Sequence, residues 1–292
     1  MAAHSPIFRD MLALPAPADA ETFDGCPLVL LPDTAEDMTN FLKALVYYDF
    51  LAPDVNSNGL PTLLSVLRMS HKYDVAPLRK RILTQLSILF PTTLAGLKAP
   101  ELSARATDSE APAEADGDCI IALITTARQV SADWLLPFAF YELCRRTDEQ
   151  RVVWSPALAV ADKQRWVTGL RALETREVTR LLRFLWQDPP GSGPLAYYTC
   201  IGHDACVWAR AQLRRGLFDG TSAPQLPLEL LADADVDDGM LCGTCYAEFR
   251  GQRKAARAKL WARLPDIFAL PGWEELEKAK ADAFGEDTEA DP

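Results

Sequence analysis

The chain has 292 residues, room for one large domain or two ordinary ones, and 49% of them are hydrophobic, enough to build real cores. A formal net charge of −11 argues against bulk attraction to nucleic acid or an anionic membrane. No apolar run approaches the roughly 18 residues of a membrane span, and the start MAAHSPIFRDML lacks the basic and then apolar pattern of a signal peptide. Seven cysteines, an odd number without a secretion signal, point to a reducing, intracellular setting, cytoplasmic or nuclear, and away from a disulfide framework.

HSPIFRDMLAL reads as a short helix opening near Ser5 and Pro6, and an Ala- and Pro-rich loop follows. In CPLVLLPDT the apolar run Leu28 to Leu31, ended by Pro32, reads as a strand. Asp33 or Thr34 then caps a helix that runs to about Tyr48. Glu36 and Asp37 lie in its first turn, and Met38, Phe41, Leu42, Leu45 and Val46 form its buried face. After a polar loop comes LLSVLRMSHKYDVAPLRKRILTQL, residues 63–86, two helices and a corner. Leu60, Leu63, Leu64 and Leu67, then Leu78, Ile82 and Leu86, recur at the helical spacing of one buried face. Asp74 is placed to cap the second helix, Pro77 suits its first turn, and His71 reads as a packing residue of the corner.

Taken in order, SPIFRDM, PLVLLPD, EDMTNFLKALVYYDF and VLRMSHKYDVAPLRKRILTQL resemble the C-terminal two-thirds of a BTB/POZ domain, over residues 5–97. The likeness is greatest to the BTB proteins of mushroom-forming fungi. The β-hairpin and helix that precede the SPxF segment in that family have no counterpart here. The expected unit is therefore a BTB/POZ-like domain over residues 1–98 lacking its N-terminal hairpin. The resemblance implies a non-catalytic protein-protein interaction module, an adaptor or scaffold whose protein partners include ubiquitin-ligase scaffolds or transcriptional regulators. The family's homodimer rests largely on the segment without a counterpart, so the matching residues do not carry a homodimer over.

Residues 99–118 hold six acids against one arginine amid Ala, Pro and Ser, and read as an acidic, disordered linker at a domain boundary. Residues 119–284 read as all-helical. CIIALITTARQV forms one helix, and Ser131 caps SADWLLPFAFYELCRRT, which Pro137 kinks or restarts. Trp134, Phe138, Phe140 and Tyr141 are candidate core. ETREVTRLLRFLW, arms near 205–217 and 246–264, and a last helix near 273–283 follow, and residues 285–292 form an acidic tail. WLLPFAFYELC also resembles the region after the BTB domain in the same fungal group. The expected fold is mainly α, α+β only in its N-terminal part.

The candidate chemistry lies in the C-terminal half. Cys200-Ile-Gly-His203-Asp-Ala-Cys206 is followed, after 35 intervening residues, by Cys242-Gly-Thr-Cys245. Each piece heads a helix and carries a glycine in its turn. Zinc takes four N or S ligands as a tetrahedron, usually from two close pairs, and there are five candidates: Cys200, His203, Cys206, Cys242 and Cys245. Cys200, His203, Cys242 and Cys245 make the regular solution with Cys206 spare; an all-cysteine set omitting His203 is the alternative. On one ideal helix Cys200, His203 and Cys206 would spread over about 9 Å, so Gly202 must bend the start if all three converge. Structural zinc stands beside ordinary metal-free thiols and a redox dithiol at CGTC, although the last wants a βαβ setting that the surroundings do not offer.

Other features read as scaffold. Cys26, Cys119 and Cys144 look like small buried hydrophobes. DADVDDGM fails as a calcium loop, with Asp238 and Thr244 where Gly and Glu are needed. RGQRKAARAKLWAR, residues 250–263, reads as a solvated or internally paired basic face rather than a partner or nucleic-acid site. No GxSxG, Walker or dinucleotide motif occurs, and three histidines leave few catalytic bases. Two function classes therefore stand: the interaction module, and a helical metalloprotein that would be enzymatic if three protein ligands left a coordination position open.

Overall fold

A computed structural model of the chain describes residues 2–15, 21–47, 49–52, 59–97, 113–177, 200, 202–218, 226, 228 and 241–285. Among them the fold is mainly α. The first half comprises α1 (Pro6–Ala13), β1 (Thr22–Phe23), β2 (Cys26–Pro27), α2 (Ala35–Val46), α3 (Leu60–Lys72) and α4 (Ala76–Leu89). The second comprises α5 (Ala113–Gln129), α6 (Leu136–Arg146), α7 (Glu149–Trp154), α8 (Val160–Arg171), α9 (His203–Phe218), α10 (Gly243–Ile267) and α11 (Trp273–Phe284).

The segments carrying the family resemblance converge on Tyr73. Ser5 caps α1 by accepting from the Phe8 N–H (3.0 Å), and its hydroxyl donates to the Tyr73 carbonyl (2.5 Å). The rings of Phe8 and Phe41 stack with Tyr73, at centroid separations of 4.3 and 5.8 Å. The Tyr73 hydroxyl donates to the Asp33 carboxylate, which also takes Lys72 Nζ at 2.5 Å. Asp33 is therefore bonded to the corner, while Thr34 caps α2 through the Asp37 N–H (3.1 Å). His71 is exposed, and Tyr73 rather than His71 is the packing residue of the corner.

This network makes the fold pH-dependent at both extremes. Burial and the bond and charge of Asp33 push the Tyr73 phenol up to about 12. Burial works to raise Asp33, but the Lys72 and Tyr73 hydrogen bonds and the Lys72 charge hold it below its ordinary value. The Tyr73 contribution is thus complete below its ordinary value near 10 and disappears as pH climbs to about 12. That of Asp33 is present above the usual carboxylate range and is lost on acidification. Urea midpoints measured from pH 9 to 12 should fall more steeply for the native chain than for Tyr73→Phe; parallel curves would contradict this account.

Four expectations are corrected. Leu28–Leu31 is not a strand. The pairing lies upstream, Thr22 with Pro27 and Phe23 with Cys26, because Asp24 (φ 50°) and Gly25 (φ 77°) supply the two left-handed positions of a tight hairpin turn. The Leu28 N–H reaches the Glu21 carbonyl (2.7 Å), and the chain then leaves the pair, with Leu30 84% exposed. Cys26 sits on this hairpin and is exposed, not buried. On α2 only Phe41 is fully buried, and Val46, read as core, is 70% exposed.

The fourth correction concerns caps. Asp74 and Ser131 do not cap the helices that follow them; they end the helices before. Both are left-handed (φ 50° and 57°), as is Ala269 (φ 50°) after α10. In each case the next N–H reaches back five residues: Val75 to the Ser70 carbonyl (2.8 Å), Ala132 to Ala127 (2.8 Å) and Leu270 to Pro265 (2.9 Å). That six-to-one bond satisfies a carbonyl orphaned at a helix end. Helix α4 starts at Val75 without a side-chain cap. Pro77 and Pro137 fall in the first turns of α4 and α6, and Pro137 marks a restart after a short 3-10 turn, Asp133–Leu135.

The two halves share one core. Helix α5 already begins at Ala113, within the segment read as linker, while residues 98–112 lie outside the described residues. It packs on α3, where Arg68 pairs with Asp37 (2.6 Å) and reaches Thr126 (3.3 Å). The C-terminal end of α4 and the residues just after it pack against the second half, while Lys80, Thr84 and Ile88 stay exposed. The Trp134 indole donates to Ser87 Oγ (3.1 Å), and the Trp261 indole to the Thr92 carbonyl (3.2 Å). Phe138 sits between Phe90 and Trp261 (6.1 and 5.7 Å), and Trp273 stacks on Trp261 at 5.5 Å. The four candidate core aromatics of α6 and its approach are all buried. Of the expected third helix, ETREVTRLLRFLW, only residues 174–177 are described, and they belong to a wider π-helical turn, Ala172–Glu177. The rest of that helix, the acidic 233–240 loop and residues 286–292 lie outside the described residues.

Candidate metal centre

Cys200 and Gly202 precede α9, and Cys206 lies in its first turn, its N–H bonded to the Gly202 carbonyl (2.8 Å). Cys200 is therefore off the helix, which removes the 9 Å spread an unbroken helix would impose. Cys242 is the N-cap residue of α10, in extended conformation, and Cys245 lies in the first turn. Neither glycine in these turns is sterically required: a side chain on Gly243 would meet nothing within 4 Å, and one on Gly202 only the Ala205 methyl at 3.9 Å.

The sulfurs of Cys200, Cys206, Cys242 and Cys245 all lie within 4.8 Å of one another. The structure thus gathers the all-cysteine set, with Cys206 a full member. His203 opens α9, and its side chain lies outside the described residues. Cys242 Sγ is 3.8 Å from Cys200 Sγ, and the Cys242 N–H donates to Cys206 Sγ at 3.4 Å. Four sulfurs about 2.3 Å from a tetrahedral zinc ion are about 3.8 Å apart, so the one resolved edge already has the right length. Cys206 and Cys245 are 1% and 0% exposed, and Cys200 and Cys242 are half-buried.

Two helices bring their N-termini to this cluster, and from it they run the same way over their first turns. The next contact outward is an ion pair between Arg210 of α9 and Glu248 of α10 (3.1 Å). The positive ends of both helices therefore face the sulfurs, which favours thiolate. Without a cation the opposite force acts. Burial, and then hydrogen bonding among the crowded thiols, pushes Cys245 far up; burial also raises Cys206, against the lowering effect of the Cys242 N–H. Without a cation Cys206 and Cys245 are thus held as thiols; a cation bound at the centre would take the sulfurs as thiolates and release their protons.

Elsewhere two acids that line a cleft are paired. A cleft of about 380 Å³ between α2, α3 and α5 is lined by Asp37 and Asp118, but these pair with Arg68 and Arg151 (2.6 and 2.8 Å). Cys119 and Cys144 are half-buried, and burial raises both thiols. In the basic run, Arg250 lies over the Tyr246 ring and Arg253 over Phe249. Arg257 buries Nε and Nη2 with no acceptor. The same run contributes Trp261 to the core, which its charges conceal; the signal was Ala256, Leu260 and Leu264 at helical spacing. No family model, curated protein or solved structure matches this chain.

Proposed function

We propose that the protein is a non-catalytic protein-interaction module, an adaptor or scaffold of BTB/POZ type, whose C-terminal arms are clamped by a structural zinc ion held by Cys200, Cys206, Cys242 and Cys245. The observation that carries this reading is the donor set: four sulfurs mutually within 4.8 Å, contributed by the heads of two adjacent helices. Four protein ligands close a tetrahedron and leave no position for a substrate, which makes the ion a clamp. The interaction role is supported by Leu28, Val29 and Leu30, three consecutive exposed apolar residues near the exposed Leu12 and Leu14 in sequence.

Zinc analysis and X-ray absorption on the full chain test the clamp. The expected result is one zinc per chain with four sulfurs in its first shell. Three sulfurs plus one oxygen would favour the metalloenzyme reading instead, and no bound metal would remove both. The interaction role is tested with a tagged chain beside the same chain carrying Val29→Ser and Leu30→Ser. Protein partners recovered by the first and lost by the second support it; identical recoveries overturn the assignment to this face.

A further inference from the structure

The four sulfurs are chemically alike but not placed alike. Cys206 and Cys245 sit inside the first turns of α9 and α10 and are shut off from solvent. Cys200 precedes α9, and Cys242 is the extended N-cap residue of α10. These two are partly open to solvent, and their sulfurs are 3.8 Å apart. A disulfide needs about 2.05 Å between sulfurs, so the two must approach by somewhat under 2 Å. Cys200, outside any helix, can supply that without breaking a helical hydrogen bond, with Cys242 held only by the first bond of α10, from the Tyr246 N–H to its carbonyl (2.8 Å), whereas Cys206 and Cys245 sit inside their turns.

We propose that Cys200 and Cys242 form an oxidation site, at which a peroxide converts two zinc ligands into a disulfide between the two arms. The inference rests on the zinc reading for its consequence, release of the ion, and on the thiol geometry alone for the bond. One of these two partly open thiolates attacks the peroxide O–O bond, which breaks. It becomes a sulfenic acid, and the leaving hydroxide is protonated to water. The other thiolate attacks the sulfenyl sulfur, forms the S–S bond and expels a second hydroxide, also protonated to water. The sulfurs lose two electrons in all, the peroxide gains them, and two protons are consumed. Two thiolates remain, too few to close a tetrahedron. The arms stay joined, now by a covalent bond between residues 200 and 242 in place of the ion.

Cys242 and Cys245 form the competing pair, since a CxxC at a helix start can close on itself. The structure favours Cys200 because Cys245 is wholly buried and locked in the turn, while Cys200 lies against Cys242 on the open side.

The test uses the full zinc-loaded chain with Cys26→Ser, which removes an exposed thiol remote in sequence from the cluster. Hydrogen peroxide is titrated in, zinc release is followed with a chromogenic chelator, and bridges are mapped by mass spectrometry after alkylation. The expected result is one zinc released per Cys200–Cys242 bridge, alkylated Cys206 and Cys245, and recovery of zinc binding after thiol reductant. A first bridge between Cys242 and Cys245, or between Cys206 and Cys245, overturns the inference, as does zinc retained while the thiols of the cluster stay reduced. If the untreated chain holds no metal, the zinc reading fails separately, and the same mapping still decides the bridge.

Discussion

Replacing Cys245 by serine should abolish the proposed zinc binding and lower the thermal midpoint by roughly 10 °C. Cys245 is the most deeply buried ligand, and serine offers the ion a hydroxyl that does not ionise where a thiolate stood. Structural zinc acts on stability by mass action, about 4 kcal/mol when free zinc exceeds its Kd a thousandfold. A chain of this size moves about 2–4 °C per kcal/mol, which gives the stated shift. Chelating the native chain should produce the same loss, and zinc added back should reverse it in the native chain alone. The damage should begin at the heads of α9 and α10, where no other described interaction joins the arms as closely as the sulfurs and the Arg210–Glu248 pair. It should then reach α4, because Trp261 on α10 covers Phe90 and Thr92 through Phe138 and its own indole. Calorimetry with metal analysis on both chains checks this. Equal midpoints with and without chelator would dismiss the clamp.

Much of the helical framework was legible because its signals are local. The Leu63, Leu64, Leu67 and Leu78, Ile82, Leu86 stripes announce α3 and α4, and all six residues are buried. The caps misled for an equally local reason. Asp and Ser favour N-caps, but Asp also tolerates the left-handed conformation, and at Asp74 and Ser131 the competition was settled by the six-to-one bond of the preceding helix. A propensity attached to one residue does not know which neighbouring helix will claim it. The strand at Leu28–Leu31 failed because a ladder needs a partner, and the Asp24–Gly25 turn had already set the pairing upstream. The cysteines were legible as candidates, and the all-cysteine set as the alternative to one that includes His203. Counting ligands from spacing treats Cys206 as one residue too many on a helix, until the start of α9 at His203 leaves Cys200 free to fold back. Glu142 was missed altogether, since nothing in FYELCRR distinguishes a buried carboxylate from a solvated one.

That residue carries the second large expectation. Glu142, 1% exposed on α6, accepts from Arg145 Nε and Nη2 (3.2 and 2.8 Å) and from Arg146 Nε (2.6 Å). One carboxylate thus serves two guanidinium groups whose side chains are themselves only 12% and 13% exposed. Bringing such a group together is expensive in desolvation, so the cluster as a whole adds little net stability; removing only its anion is another matter, because two buried cations then lose the charge they share. Glu142→Gln keeps the shape and one acceptor oxygen and should cost about 3–5 kcal/mol, roughly 10 °C in midpoint. Added salt should recover little of it, since ions do not reach a site this enclosed. The neighbouring Tyr141 hydroxyl accepts from the Leu228 N–H at 2.9 Å, so a shift of α6 should also weaken that bond, visible as faster exchange of the Leu228 amide. Chemical denaturation of Glu142→Gln at low and high salt decides the point. A loss below about 0.5 kcal/mol, or one that salt erases, would place the pair of arginines in solvent and not in the core.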